Sequence, residues 1–278
     1  MGVPDDRYVL ASGDDGADRL AVVNAVHGAD TAAFLGRAGL RPGMRVADIG
    51  CGIGAVSRWM AEQVGPAGEV WGIDIHPDQV GVASRLSSEA GVGNARFQVG
   101  AAQATGLPGD SFDLVFCRFV LMHVAEPMAA LQEMLGLLRP GGVLACEDSD
   151  FTSPFCEPDH PDYRRLFELY LALGDRKGLD FRIGPKLYRY FLELGLEDVQ
   201  VALAQPVAVR GQVKRLPGRT VEECAPALLE AGLAAADELR RLADGIAVLE
   251  SDPTVLFGMA QMTQVHGRRP ARHASAAG

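Results

Sequence analysis

Two hydrophobic patterns alternate along the first 150 residues of the chain. Short apolar runs typical of strands occupy 44–50, 69–74, 95–99, 112–117 and 142–148. Apolar positions at helical spacing lie between most of them, at 53–64, 77–91 and 127–138. Because strands that alternate with helices form βαβ units, the pattern predicts an α/β fold with a mostly parallel sheet and helices on both faces.

The regions before and after this alternation have a different character. Asp18 to Ala38 has helical spacing and precedes a Leu40-Arg41-Pro42-Gly43 turn. After Asp150 the pattern predicts further elements, which are helices near 166–171, 185–194 and 221–249 and a strand at 199–209. We predict five segments, namely an N-terminal helical lid (1–40), a core (41–150), cap insertions interleaved with late core elements (151–253), a final strand (254–267) and a disordered tail (268–278).

A glycine-rich loop follows the first predicted strand, in the sequence V-A-D-I-G-C-G-I-G-A-V-S. Gly50, Gly52 and Gly54 allow a sharp turn and a close approach of the backbone to a ligand. The helix predicted to begin near Ile53 would point its free N–H groups at the same place. The loop therefore predicts a site for a nucleoside-containing cofactor.

Two carboxylates near this loop bear on which nucleoside it binds. Asp74 ends the second predicted strand, 20 positions after Gly54, where a ribose diol is bound in dinucleotide sites. NAD and S-adenosylmethionine both contain that diol. Asp48, at the mouth of the loop, would repel a pyrophosphate and attract the ammonium of a methionine chain. The residues therefore favour S-adenosylmethionine.

Four motifs occur in a fixed order, which are D-I-G-C-G-I-G, G-I-D-I-H-P, L-P-G-D-S-F-D-L-V-F and L-L-R-P-G-G-V-L. Together they resemble the class I S-adenosylmethionine-dependent methyltransferases, in the small-molecule branch that includes ubiquinone/menaquinone C-methyltransferases and bacterial natural-product methyltransferases. The resemblance is strong over residues 40–150. It implies a Rossmann-like, mostly parallel seven-stranded sheet with an inserted helical cap.

The resemblance also implies a set of cofactor contacts at the carboxyl ends of the strands. The predicted cofactor-binding residues are Asp48, Gly50, Cys51, Gly52, Gly54, Asp74, Ile75, Ala101, Ala102, Gln103 and Arg118. Ala101 stands where the family often has an acidic residue for the adenine amine, so Gln103 is expected to take over that hydrogen bond. Arg118 would meet the cofactor carboxylate with its side chain or offer only backbone contacts, and contact with the cofactor is favoured.

Candidate catalytic residues follow the fourth and fifth strands. His123 has a titration range that suits a general base, or it is a packing residue at a helix start. Glu147 and Asp148 would accept a proton or hold an amine, or they cap a turn. Tyr8 would close the site from the N-terminal segment, or it anchors a loose terminus.

Aromatic residues are concentrated in or beside the predicted cap insertions. They are Phe151, Phe155, Tyr163, Phe181, Tyr188 and Tyr190. Their concentration favours an apolar substrate, and ordinary cap packing is the alternative interpretation.

Charge and composition argue against several kinds of partner and cofactor. A net charge of −10 argues against a nucleic-acid partner. Five cysteines without a C-x-x-C pair are typical of reduced thiols in a cytoplasmic protein. The histidines show no metal-ligand spacing, so no metal is predicted. No apolar run reaches the length of a membrane span, and no signal peptide is recognisable.

The sequence therefore predicts a methyltransferase that uses S-adenosylmethionine on a small, fairly apolar metabolite, with a role in secondary-metabolite biosynthesis. Transfer to carbon is slightly favoured over nitrogen or oxygen, by analogy with the quinone C-methyltransferases. The alternatives are a non-catalytic S-adenosylmethionine-binding module and an NAD-dependent oxidoreductase. Whether the protein forms a homodimer is left open.

Overall fold

The computed structural model describes the backbone of residues 13–271 and the side chains of residues 16–271. The helices are α1 (Gly13–Arg37), α2 (Ala55–Val64), α3 (Pro77–Glu89), α4 (Pro127–Leu137), α5 (Pro161–Lys177), α6 (Leu187–Glu193), α7 (Leu216–Glu230) and α8 (Ala236–Ser251). The strands are β1 (Arg45–Ile49), β2 (Glu69–Asp74), β3 (Ala95–Val99), β4 (Phe112–Arg118), β5 (Leu138–Asp150), β6 (Phe155–Glu157), β7 (Glu197–Ala204), β8 (Val207–Ala208), β9 (Leu256–Gly258) and β10 (Gln261–Arg268).

The main sheet has seven strands in the order β3-β2-β1-β4-β5-β10-β7. Strands β1 to β5 pair in parallel, and β10 is antiparallel to both β5 and β7. The predicted α/β class and the mostly parallel seven-stranded sheet are confirmed. The strand order reverses between β1 and β4, and in such sheets a crevice opens at that point, beyond the carboxyl ends of the strands.

Both faces of the central strands are buried, because successive residues point to opposite sides of the sheet and helices pack on each side. Val46 and Phe116 pack with α1 and α2 on one face. Ala47 and Val115 pack on the other face with α4 and with the helices that follow β5. The two hydrophobic clusters fix the register of the strands, so their polar ends meet along one edge.

The region after β5 contributes helices and a second, smaller sheet. Helices α5, α7 and α8 pack against one another, and β6, β9 and β8 form an antiparallel three-stranded sheet. The Tyr163 hydroxyl joins the two parts by donating to the carbonyl of Gly258 at 3.2 Å. The division of the chain into five segments stays a prediction.

Two predicted elements are each broken into two. The stretch predicted as one helix at 221–249 is α7 and α8, because Gly232 with a φ of +65° ends the first helix. The strand predicted at 199–209 divides at Pro206 into β7 and β8, which belong to different sheets. Proline has no backbone N–H to donate to a neighbouring strand, so strand pairing is interrupted there.

The carboxyl-terminal part also differs from the prediction. The predicted final strand at 254–267 is β9 and β10, separated by Met259 and Ala260. The tail predicted to be disordered from residue 268 is wrong at its start, because Arg268 lies in β10 and Arg269 exchanges backbone hydrogen bonds with the 141–142 turn. Residues 272–278 lie outside the described residues. Between residues 13 and 271 no helix is long and apolar enough to cross a membrane.

Candidate active site

A cavity of about 280 Å³ lies at the carboxyl ends of β1, β2, β3 and β4. Its wall is completed by one face of α1, by the glycine-rich loop and by residues of the region after β5. The cavity wall contains the predicted site residues Asp48, Gly50, Cys51, Gly52, Asp74, Ile75, Ala102, Gln103, Arg118 and His123. Residues far apart in the sequence therefore converge on one crevice, as expected from the strand order.

The glycine-rich loop needs its glycines for backbone conformation and for close packing. Gly50, Gly52 and Gly54 have φ angles of +73°, +53° and +70°. A Cβ on Gly50 would lie 2.2 Å from Cγ2 of Val120, and one on Gly54 would lie 2.7 Å from the Phe97 ring. Helix α2 begins at Ala55, two residues later than predicted, and Gly54 itself is not in the cavity wall.

Asp74 organises the loop and still has capacity to bind a diol. Its Oδ2 accepts the N–H of Gly52 at 2.8 Å, and its Oδ1 accepts the N–H of His76 at 3.0 Å. Each carboxylate oxygen has a second lone pair. Asp74 therefore ties the loop to β2 and can accept hydroxyl hydrogens from a ligand in the cavity.

Asp48 is a buried carboxylate in the cavity wall. The Ser57 hydroxyl, on α2, donates to its Oδ2. Burial raises the pKa of Asp48 to about 6, although the hydrogen bond from Ser57 and the positive charge of Arg118 oppose the rise. Asp48 is therefore mostly ionised at neutral pH and offers a negative charge to a ligand ammonium.

Arg118 ends β4 and is held by α1. Its guanidinium donates to Thr31 Oγ1 at 2.9 Å and to Asn24 Oδ1 at 3.1 Å, and its Nε lies 3.9 Å from Glu147 Oε1. Burial lowers the pKa of Arg118, while the carboxylates of Glu147 and Asp48 raise it. These hydrogen bonds leave some of its five N–H groups for a ligand. Contact of Arg118 with a cofactor carboxylate stays a prediction.

The residues predicted to frame the adenine follow β2 and β3 in the chain. Ile75 is 40% exposed and faces the cavity together with Ala102 and the exposed Gln103. An exposed isoleucine beside a cavity is suited to stacking on a flat ring. Ala101 is outside the cavity wall and pairs with Ala104 in a β-bridge.

His123 lies in the wall, in a short 3-10 turn after β4. Its ring packs edge-on against Phe181 at 5.7 Å. Burial, with a smaller effect of Arg19, lowers its pKa to about 4. His123 is thus neutral at physiological pH and weakly basic, which argues against its predicted role as a general base.

Glu147 is buried and is not among the residues that line the cavity, and its predicted catalytic role stays a prediction. It accepts hydrogen bonds from the Thr31 hydroxyl and from Gln264 Nε2, the latter at 2.8 Å. Burial raises its pKa, and Arg118 opposes the rise. These contacts make Glu147 an anchor for α1.

Asp148 is likewise buried outside the cavity wall, and its predicted catalytic role also stays a prediction. It accepts the N–H groups of Met122 at 3.2 Å and Ser149 at 2.9 Å. Burial raises its pKa to about 7. Asp148 therefore holds the turn that carries His123. Tyr8 lies outside the described residues.

Several cavity-wall residues were missed by the sequence analysis. Asn24 and His27 come from α1, and Gln79 comes from the first turn of α3. Within the described part of the chain, the Oε1 atom of Gln79 is buried and has no hydrogen-bond partner. Gln79 thus carries a buried acceptor, unpaired among the described residues, in a side chain that also contributes to the cavity wall.

Of the six predicted aromatic residues, Phe151 alone lines the cavity. Phe167 and Tyr170 line it as well. Tyr163 and Phe181 are buried behind the wall, while Phe155 and Tyr188 are exposed on the surface. The stack of Tyr170 on Phe181, at 4.4 Å between ring centroids, supports the wall from behind. No three histidine, cysteine or acidic side chains between residues 16 and 271 are grouped to hold a metal ion.

The strand order and the crevice define the Rossmann-like methyltransferase class of fold. Residues 40–168 match a family model described as "Methyltransferase domain". This match confirms the resemblance drawn from the sequence motifs over that part of the chain.

Curated relatives are similar over the same region. Demethylmenaquinone methyltransferase of Listeria monocytogenes is 34% identical over 131 residues, which are 47% of this chain and 53% of that protein. The ubiquinone/menaquinone biosynthesis C-methyltransferase of Shewanella sediminis is 31% identical over 54% of each chain. The chain thus spans about half the length of the curated relatives it matches.

Solved structures extend the likeness of fold to most of the chain. The crystal structure of the [4+2]-cyclase SpnF covers 96% of this chain and 85% of its own, with a TM-score of 0.55 and 20% identity. At that identity the comparison shows a shared fold alone.

Proposed function

We propose that this protein transfers the methyl group of S-adenosylmethionine to a small, fairly apolar metabolite. The observation that carries the proposal is the crevice between Asp48, the glycine-rich loop and Asp74, at the point where the strand order reverses. It lies within the region that matches the methyltransferase domain.

The described residues suit an S-adenosyl donor from one end to the other. Ile75, Ala102 and Gln103 would frame the adenine, and Asp74 would accept both ribose hydroxyls. Asp48 and Arg118 carry opposite charges at the end where an α-amino acid would lie. A pyrophosphate would meet Asp48 unfavourably, so the NAD-dependent alternative is not favoured.

The sulfonium of the donor supplies an activated methyl group, so the protein mainly has to align the acceptor and exclude water. Helix α1 and the region after β5 close over the crevice and would exclude water. Phe151, Phe167 and Tyr170 offer an apolar, ring-lined side to an acceptor. Since His123 is a weak base here, the proposal assigns proton removal to no side chain of the described wall.

The proposal extends to the methylated atom, the metabolic role of the protein, its partners and its location. Similarity to quinone C-methyltransferases slightly favours carbon as the methylated atom. A role in secondary metabolism, a homodimer and the absence of a nucleic-acid partner stay proposals, the last supported by the net charge of −10. All five cysteines are free and buried, which supports a cytoplasmic location.

The test is an incubation of the protein with deuteromethyl-labelled S-adenosylmethionine and a small-molecule extract of the source organism. Mass spectrometry should find a metabolite that gains the label only when the protein is present. Asp74→Asn should reduce labelling at least tenfold at limiting donor, because it weakens the ribose contact and the Gly52 contact. Asp78→Asn is the matched control, because Asp78 is an exposed carboxylate outside the wall.

Two outcomes would contradict the proposal. Wild-type protein that binds the donor but labels no metabolite would favour the binding-module alternative. Equal labelling by wild type and Asp74→Asn would remove Asp74 from the donor site.

A further inference from the structure

Strand β7 forms one edge of the main sheet, and among residues 13–271 no strand pairs with its outer side. Its eight residues are E-D-V-Q-V-A-L-A, so the strand carries no charge after Asp198. Edge strands of native proteins are usually protected from pairing by charged residues, prolines or a covering element. At the opposite edge, β3 has Arg96 within its five residues. The β7 edge lacks such a charge and is suited to pairing with another strand.

The side chains that β7 exposes on one face of the sheet are apolar. Val201 is 48% exposed and Leu203 is 60% exposed. Val201 lies opposite Val265 of β10, which is buried in the same hydrophobic cluster as Phe191 of α6. Because alternate strand residues point to the same side, Val201 and Leu203 both project on the face of the sheet that carries α6.

Helix α6 adds two exposed apolar side chains at this edge. It packs on β10 and β7 and buries Leu187 and Phe191. Tyr188 and Leu192, four positions apart, share one flank of the helix and are 46% and 50% exposed. Tyr190, on the other flank, packs against the core, so the flank of Tyr188 and Leu192 is the outer one. We name the exposed apolar residues of both elements the edge patch, which consists of Tyr188, Leu192, Val201 and Leu203.

A second copy of this chain fits the edge patch because β7 is complementary to itself. In an antiparallel pair with a twofold axis at Val201, this valine faces its own copy, and Val199 faces Leu203 of the copy. All three side chains lie on the face of α6, so the pairing would bring apolar residues together. Closed twofold dimers, in which the same patch is used twice, are the commonest oligomers.

The charges of β7 are compatible with this pairing. Glu197 and Asp198 are at the start of the strand, so an antiparallel copy would place each of them opposite an uncharged residue near its other end. Oδ2 of Asp198 also lies 3.9 Å from Nε of Arg268 on β10. Like charges directly opposite each other destabilise a strand pair, and pairing about Val201 avoids them.

We propose that the protein forms a twofold-symmetric dimer in which the β7 strands of two copies pair antiparallel about Val201 and join the two main sheets into one. The α6 helices of both copies would flank the joint on the same face and cover the edge patches. The pairing would satisfy backbone N–H and C=O groups on the outer side of β7 and remove apolar side chains from water. This specifies the homodimer named above without involving the crevice, since none of the described cavity-wall residues belongs to α6 or β7.

The first test is analytical ultracentrifugation of the full chain over a range of protein concentrations. The wild type should sediment as a dimer at the higher concentrations. Val201→Lys would place two ammonium groups opposite each other at the axis, so it should raise the dissociation constant of the dimer at least about tenfold. Val248→Lys is the matched control, because Val248 is 69% exposed on α8 and lies outside the edge patch, and it should leave the dissociation constant unchanged. Circular dichroism spectra should verify that both variants are folded.

A second variant tests the pairing register without weakening the dimer. Opposed residues of an antiparallel pair have Cβ atoms about 4.5–5.5 Å apart, so Val201→Cys should form a disulfide between two copies under mild oxidation. The five native cysteines are buried, which keeps background linkage low. Val248→Cys is the control and should remain mostly unlinked on a non-reducing gel at the same concentration.

A wild type that stays monomeric over the whole concentration range would overturn the proposal. A dimer that Val201→Lys leaves unchanged would do the same, because another surface would then hold it. Equal linkage in Val201→Cys and Val248→Cys would contradict the pairing about Val201. The Val201→Lys monomer should still bind S-adenosylhomocysteine, the donor without its transferred methyl group, so a failure of the dimer and a failure of the proposed function are distinguishable.

Discussion

At the scale of single residues, the local surroundings give neighbouring carboxylates different roles. Asp48 and Asp74 lie at the carboxyl ends of adjacent strands and line the cavity, whereas Asp148, near the end of β5, is buried away from it. Asp74 accepts two backbone N–H groups, and Asp48 accepts one hydroxyl. The side chains that are free to meet a ligand are therefore Asp48 and Asp74.

The sequence could predict these two carboxylates because each lies beside a recognisable turn in its own stretch of chain. It could not predict His27 or Gln79, because nothing local marks a lone histidine or glutamine as a cavity residue. Glu147 and Asp148 were predicted at the correct strand end. Whether a side chain at that end faces the cavity or the interior depends on how α1 and the His123 turn pack over it.

We expect the affinity for the donor to depend on pH through the protonation of Asp48. Its pKa of about 6 in the free protein means that its charge is lost as the pH falls through 6. A ligand ammonium stabilises the ionised form, so the affinity for S-adenosylhomocysteine should fall between pH 7 and pH 5, approaching tenfold per pH unit at the lower end. Calorimetric titration across this range measures the effect.

Asp48→Asn should bind more weakly at pH 7 and show much less dependence on pH. 5′-Methylthioadenosine, which has no ammonium, is the ligand control and should show little change. An affinity of wild type for S-adenosylhomocysteine that is constant from pH 5 to pH 7 would exclude an ionic contact with Asp48.

At the scale of elements, α1 is attached to the sheet by a buried polar network. The Thr31 hydroxyl donates to Glu147, and Arg37 donates to Gln264 Oε1 at 2.9 Å. Gln264 in turn donates to Glu147 Oε2 at 2.8 Å and to the Asp30 carbonyl at 3.3 Å. Glu147 thus lies at the centre of the contacts that join α1 to β5 and β10.

We expect Thr31→Val to loosen α1, because it removes a donor from a buried carboxylate. The free energy of unfolding in denaturant should fall by about 1–3 kcal/mol, and backbone hydrogen exchange should accelerate in α1. Thr220→Val is the matched control, because the Thr220 hydroxyl donates to the Leu216 carbonyl within its own helix. Similar stability and exchange in wild type and Thr31→Val would show that this network does not hold the helix.

The core elements follow the sequence prediction closely because their hydrophobic period is strong and their ends carry turn residues. The breaks within 199–209 and 221–249 were missed because a single proline or glycine marks each one. The contacts that attach α1 to the sheet could not be predicted from the sequence, because Thr31 and Glu147 are 116 positions apart.

At the scale of the whole molecule, the strand order brings the ends of β1, β2, β3 and β4 to one crevice, and α1 with the region after β5 covers it. Other proteins with this fold include one described as a [4+2]-cyclase, so the fold alone does not fix the reaction. The charges and hydrogen-bonding groups of this crevice, rather than the fold, indicate an S-adenosyl ligand.

The most direct measurement is a calorimetric titration of the wild-type protein with S-adenosylhomocysteine, repeated in the presence of saturating NADH. We predict binding of one ligand per chain, undiminished by NADH and strongly weakened in Asp74→Asn. Binding of NADH that S-adenosylhomocysteine cannot displace, or no binding of S-adenosylhomocysteine at all, would contradict the assignment of this crevice as a methyl-donor site.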